Sequence, residues 1–409
     1  MSHFTLKEMH YVKDGTIVTP KGFLVDGIHA GFRRKKKDIG LLLCKKPATA
    51  AAVYTTNKVQ AAPIQIMKKH VEKTPTLQAI IVNSGNANAC TGERGLIHAE
   101  ETCRLVAEKY QIPLEEVGVA STGIIGEQLP MDLFPHAIQQ LTPGDHEKNA
   151  HAFSQAILTT DTCTKTTCYE GIIHGEKVTV AGVAKGSGMI DPNMATMLSF
   201  ITTDAKLSAA SLQKVLSQTV EDSFNCITVD GDMSTNDMVC MLASGEAHEN
   251  VLEETDSDWT LFKQMVQAVC TDLAKMIARD GEGATKLIEV HVQGAETKKD
   301  AKKIGLSIVG SSLVKTAVYG SDPNWGRIIA AIGYSGVPVE PGKIDILIDS
   351  IYLFKQGKPC SYEEEDVVKI MNQNHVTITV HVHMKTSAAI VWGCDLTYDY
   401  VHINASYRS

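Results

Sequence analysis

The chain lacks most of the features that would assign it quickly. Its 409 residues carry a net charge of −8, so no basic surface for nucleic acid is expected. No apolar run approaches the ~20 residues that span a bilayer. The opening "MSHFTLKEMHYVKDG" has no apolar core of a secretory signal. Ten cysteines are scattered from Cys44 to Cys394. The closest pair, Cys163 and Cys168, is not Cys-x-x-Cys, so neither a metal nor a redox role is expected. A reducing cytosolic setting fits thiols that act as small buried apolar groups. No repeat, low-complexity segment or Pro/Ser-rich linker divides the chain. No phosphate-loop or dinucleotide fingerprint is present either.

What is present is an ordinary globular composition, 44% hydrophobic and 21% charged, with 31 glycines. The length suggests two or three core-sized units. Strand and helix patterns mix throughout, which points to an α/β fold. Ala79 to Val82 reads as a short buried strand that breaks into an Asn/Ser/Gly loop. "HAETCRLVAEKYQI" and "SAASLQKVLSQTVEDSF" read as helices, as does "WTLFKQMVQAVCTDLAKMIARDG". In the last, Leu261, Met265, Val269, Leu273 and Ile277 form one apolar stripe, with Gly281 placed as a C′ glycine. "VTITVHVHM" alternates as a half-buried strand. Its His381 and His383 could face one way toward a metal, but no third ligand is visible, and a solvated strand face is expected. "RRKKK", Arg33 to Lys37, is expected to be a solvated loop rather than a phosphate grip.

One stretch stands apart: "KGSGMIDPNMATMLSF", Lys185 to Phe200. A phosphate loop needs its lysine after the second glycine, but here Lys185 precedes Gly186. A dinucleotide loop needs glycine at position 191, which is Asp191. Thr196 offers different chemistry. A threonine hydroxyl needs a base, and an N-terminal threonine carries one in its own α-amine. Exposing that amine requires a cut between Ala195 and Thr196. Gly186 and Gly188 allow a sharp bend, Pro192 fixes φ, and small Ala195 leaves the scissile carbonyl open. From composition alone, the same residues read as a Gly/Pro turn before a buried strand. The chemistry alone does not separate the two readings.

The wider sequence does. "DGIHAGFRRKKKDIGLL", "IIVNSGNANACTG", "VASTGIIGEQLP", "LTTDT", "TVDGDMSTND", "ARDGEGATK", "SDPNWGRIIAAIGYSG" and the terminal "YVHINASYRS" follow one another along essentially the whole chain. In this order they resemble the ornithine acetyltransferase family, also called glutamate N-acetyltransferase.

The resemblance implies a layered α/β fold, with β-sheets stacked between helical layers as in the self-processing aminopeptidases. It implies self-cleavage at Ala195–Thr196, giving an α chain (1–195) and a β chain (196–409), assembled as a cytoplasmic α2β2 heterotetramer. Thr196 would accept the acetyl group of N-acetylornithine and pass it to glutamate, in arginine biosynthesis and without a cofactor. Acetyl-CoA is a second donor in some members, and no motif distinguishes them. The resemblance places the oxyanion hole at Thr122 and Gly123. Substrate contacts fall to Lys185, to Thr159 or Thr160 (Thr159 preferred), and to Glu282, Asn404 and Ser409. Ser409 departs from the family's usual threonine but keeps the hydroxyl. If Asn404 and Ser409 line the site, the C-terminus must be docked rather than frayed. The competing readings are an amidase or aminopeptidase of the same fold and an inactive scaffold.

Overall fold

The computed structural model describes residues 8–191 and 197–406. Positions 192–196, which include Ala195 and Thr196, lie outside the described residues, as does Ser409.

Among the described residues, nine strands form one mixed sheet. Its order is His10–Tyr11, Lys165–Ile173, Glu176–Lys185, Leu198–Thr203, Met238–Ala243, Ile39–Tyr54, Thr76–Asn86 and Val117–Ile124, with Phe23–Ile28 paired on Ile39–Tyr54. The central strands Leu198–Thr203 and Met238–Ala243 are buried at every residue. Both faces are covered, and Met238–Ala243 accordingly reads in sequence as a continuous apolar run rather than an alternating one. On one face Val180, Ile201, Val239 and Met241 meet the helices Ala209–Glu221 and Trp259–Arg279. On the other, Val183, Phe200, Cys240 and Leu242 join a cluster with Phe153 of the helix Glu147–Ala156.

A second, six-stranded sheet comprises Lys358–Pro359, Ile351–Lys355, Asp345–Ile348, His375–His381, Leu287–Ala295 and Ser387–Cys394. The helix Trp259–Arg279 lies between the sheets and touches both, and Lys298–Val309 covers the far face of the smaller one. The result is a mixed α/β fold of alternating helical and sheet layers. Leu261, Met265, Val269, Leu273 and Ile277 are all buried in this middle layer, as their four-residue spacing predicts.

Several local expectations change. The strand expected at 79–82 runs from Thr76 to Asn86, because its Ser and Asn residues continue the pairing with Val117–Ile124. Gly281 follows the C-cap Asp280, yet its φ is not left-handed. Glycine is needed there because a Cβ would sit 2.5 Å from Cys394 Sγ. Arg33 is not simply a solvated loop residue: its guanidinium donates to the carbonyls of Leu158 and Thr159 at 2.7 and 2.9 Å. Arg34, Lys35 and Lys36 are exposed. The His381 and His383 rings stack 3.6 Å apart, and His383 Nε2 pairs with Asp345 at 2.8 Å.

Candidate active site

Strand register brings the key segments to one edge of the large sheet. Lys185 pairs with Leu198, and Leu198 pairs with Met238. The loop after Lys185, Met197 and the turn before Met238 therefore emerge side by side. Asn236 stitches this edge to the neighbouring strands: its amide donates to Ala87 O at 2.6 Å and to Ser121 O at 2.9 Å. A cleft of ≈ 120 Å³ opens there. It is lined by Thr122, Gly123, Thr159, Thr160, Lys185 and Glu282, together with Asn404 and the turn residues Ser234 to Asn236. Seven of the site residues named from sequence line it: Thr122, Gly123, Thr159, Thr160, Lys185, Glu282 and Asn404. Thr196 is followed in the chain by Met197, whose N–H donates to Asp237 Oδ1 at 3.0 Å.

Thr122 and Gly123 lie near the end of the strand Val117–Ile124. Gly123 has φ 137°, and a Cβ there would meet the Gly85 carbonyl carbon at 2.3 Å. No other residue fits this position. Thr122 is buried, and its hydroxyl oxygen accepts a hydrogen bond from Lys185 Nζ at 3.2 Å. A threonine oxygen that accepts from an ammonium still has its own O–H to give. The pair thus presents a polarised hydroxyl beside a backbone N–H, the donor set an oxyanion requires.

Lys185 is 3% exposed. Burial pushes its pKa down. Among nearby charges Asp161 pulls it up, Lys165 pushes it down, and Asp237 and Glu282 pull it up. Asp237 is fully buried; burial drives its carboxyl well above the usual range, against the Met197 N–H and the Lys185 charge. Its Oδ2 is a buried oxygen without a hydrogen-bond partner among the described residues. Burial also raises Asp191 to about 6, helped by Asp230 and Asp232.

The loop from Gly186 to Asp191 is bound from several sides. Glu282 N donates to Ser187 O at 2.8 Å, and the Thr160 and Ser187 hydroxyls meet at 2.6 Å. Asp230 accepts from the N–H groups of Met189 and Ile190. Gly188 passes against Glu282 so closely that a Cβ would lie 2.4 Å from its carboxyl carbon. Thr160 is therefore engaged within the protein. The Thr159 hydroxyl makes no hydrogen bond to another described residue, while its backbone is held by Arg33 and Asp161. Asn404 sits on the helix Tyr398–Ala405 and donates to Glu282 Oε2 at 2.7 Å. Tyr400 on the same helix donates to Asp230 at 3.2 Å. The end of the described chain is docked over the cleft, as a role for Asn404 requires.

Sequence reasoning missed Arg33, Asp161, Lys165, Asp237 and Asn236. Asp161 and Lys165 are only four residues apart, but the other partners that define these roles lie 25 to 149 residues away, and no local spacing encodes such contacts. Among the described residues, no group of three His, Cys, Asp or Glu side chains could hold a metal ion. No helix among them is long and apolar enough to cross a membrane.

Comparison with known proteins places this arrangement. The model of the ArgJ family matches residues 24–409. The arginine biosynthesis bifunctional protein ArgJ of Bacillus anthracis is 54% identical over 398 residues, covering 97% of this chain and 98% of that protein. The protein of the same name from Halalkalibacterium halodurans is 53% identical over 399 residues, covering 97% of each chain. Among solved structures, the arginine biosynthesis bifunctional protein of Bacillus halodurans is 52% identical, with a TM-score of 0.46, over 46% of this chain and all of that one. Ornithine acetyltransferase of Mycobacterium tuberculosis, complexed with ornithine, is 32% identical, with a TM-score of 0.41, over 45% of this chain and 98% of that one. With its family model matched from residue 24 to the last residue, the chain belongs to the ArgJ family.

Proposed function

We propose that this protein is an acetyltransferase of arginine biosynthesis that moves the acetyl group of N-acetylornithine to glutamate and also loads from acetyl-CoA. The observation that carries the reading is the cleft lined by Thr122, Gly123, Lys185 and Glu282, at the sheet edge where Lys185 pairs with Leu198. Membership in a family whose relatives are named bifunctional proteins of arginine biosynthesis supports it.

The chain cuts itself between Ala195 and Thr196, giving chains 1–195 and 196–409 that stay together and pair into α2β2 in the cytoplasm. The freed Thr196 amine takes the hydroxyl proton. Thr196 Oγ attacks the acetyl carbonyl, and Thr122 Oγ1 and Gly123 N–H stabilise the oxyanion. The C–N bond breaks, ornithine leaves with the proton, and an acetyl ester remains. The glutamate amine attacks that ester, the C–O bond breaks, and Oγ regains its proton. Glu282 faces the amino groups of ornithine. Lys185 offers its charge to the α-carboxylate that both amino acids share. Thr159, with its free hydroxyl, is the better placed of the two threonines, and Asn404 and Ser409 complete the substrate contacts.

Mass analysis of purified protein tests the first step, with two chains expected, the second beginning Thr-Met-Leu-Ser. Glutamate acetylation is then assayed with each donor separately. Thr196→Ala should abolish both cutting and transfer, whereas Thr196→Ser should keep part of each. Hydrolysis of N-acetylornithine without transfer would instead identify an amidase of the same fold. Substantial transfer by the alanine variant would overturn the assignment of the nucleophile.

A further inference from the structure

Beneath the cleft lies a buried charge cluster. Lys165 opens the strand Lys165–Ile173 and has no exposed surface. Its Nζ donates to Asp161 Oδ1 at 2.7 Å and to Asp280 Oδ2 at 2.6 Å. The two carboxylates reach further. Asp161 Oδ1 also accepts from Gly186 N at 2.6 Å, and its Oδ2 accepts from Thr159 N at 3.0 Å. Asp280 accepts from Thr162 N at 3.1 Å and from the Thr162 hydroxyl. One ammonium therefore ties together three segments that line or adjoin the cleft: residues 159–162, 185–188 and 280–282.

Such a cluster is costly to desolvate unless every charge is answered. Two carboxylates against the single Lys165 ammonium leave one negative charge. The nearest buried ammonium that can balance it is Lys185, which carries the hydrogen bond to Thr122. The other groups facing Lys185 do less to hold it charged. The Asp237 carboxyl is driven toward its neutral form by burial, Glu282 is taken up by Asn404, and Lys165 opposes the charge. Burial would raise Asp161, but the Lys165 and Lys185 ammoniums and the Gly186 N–H outweigh it and hold the carboxyl well below the usual range.

We propose that Asp161, clamped by Lys165, is a positioning residue of this site: it fixes the Lys185–Gly186 backbone and keeps the Lys185 ammonium charged beside Thr122. Its place in acetyl transfer rests on the function proposed above. Its electrostatic content does not.

The test follows kcat and KM against pH for Asp161→Asn and Asp161→Glu, each checked for cutting and for a wild-type near-UV spectrum. Loss of the negative charge lets Lys185 deprotonate earlier. In Asp161→Asn the basic limb of kcat/KM should move to lower pH by about one unit or more. Asp161→Glu should return the limb toward the wild-type position even where kcat stays low. A folded Asp161→Asn enzyme with an unmoved limb would overturn the proposal. A second measurement needs no Asp161 variant that folds. In wild-type protein carrying lysine labelled with ¹³C at Cε, the Lys185 signal, assigned by Lys185→Arg, should stay at its charged position through pH 8. A signal at the neutral position there would equally sink the proposal. An absence of acetyl transfer by the wild type would remove the proposed function, and the Cε titration would still decide the role of Asp161.

Discussion

Replacing Thr122 by alanine removes one hydroxyl that makes a single hydrogen bond among the described residues, to Lys185 Nζ. At 3.2 Å that bond lies at the long end of the hydrogen-bonding range, so little ground-state binding is lost with it. On the proposed mechanism, the hydroxyl proton faces a developing O⁻ in the transition state, beside the buried Lys185 and Asn236. One such donor is worth about 2.7–4 kcal/mol. At ~1.36 kcal/mol per decade, kcat should fall by roughly 10²–10³. KM for N-acetylornithine should move little, because the effect is confined to the transition state. Thr122→Ser keeps a hydroxyl and should stay within about 10-fold of wild type on the same reasoning. The assay is steady-state kinetics on protein shown by mass to be cut. Lys185→Ala should behave differently and chiefly raise KM, since a carboxylate contact operates in ground and transition states alike. A cut Thr122→Ala enzyme with normal kcat and raised KM would show that Thr122 binds substrate and that the oxyanion donors lie elsewhere.

Two further outcomes are expected. Lys165→Met leaves two buried carboxylates without their ammonium and should destabilise the protein by about 3–5 kcal/mol at neutral pH. Asp161 has a depressed pKa, so its contribution is present above its unfolded pKa of ~3.9 and is lost as pH falls through the folded value. The gap between variant and wild type in urea titrations should therefore narrow below about pH 4, and a pH-independent gap would refute the ion-cluster account. Gly188→Ala places a methyl against the Glu282 carboxyl; displacing a charged contact worth about 1.5–3 kcal/mol should raise KM about 10-fold or more. Unchanged KM values for both amino acids would remove Glu282 from the binding site.

Periodicity and local chemistry carried much of this protein into view. The four-residue stripe of Trp259–Arg279 placed a helix whose apolar face had to be buried. The alternation of Val376–Met384 placed a strand with one wet face; the strand formed is His375–His381, which ends before His383, and its burial alternates as expected. The motifs ordered along the chain, through the family resemblance they carry, identified the segments that meet at the cleft. The helix and strand signals are local, each depending on residues a few positions apart.

Tertiary structure decided the rest. The strand from Thr76 continues through Asn83, Ser84 and Asn86, polar residues that propensity would end, because pairing with Val117–Ile124 satisfies their backbone. Arg33 looks like one member of a charged run until the fold brings the carbonyls of Leu158 and Thr159 to it. Lys185 reads as an ordinary surface lysine, the default for its type, yet the sheet register buries it against Thr122, 63 residues away. Lys165, Asp161 and Asp280 are unremarkable letters in sequence, and although Asp161 and Lys165 are only four residues apart, long-range packing is what adds Asp280 and buries the cluster. The sequence by itself determined which segments are helices and strands and which carry polar chemistry. The charges that answer one another across the core were decided only when those segments packed, because burial and electrostatic pairing depend on distance in space and not along the chain.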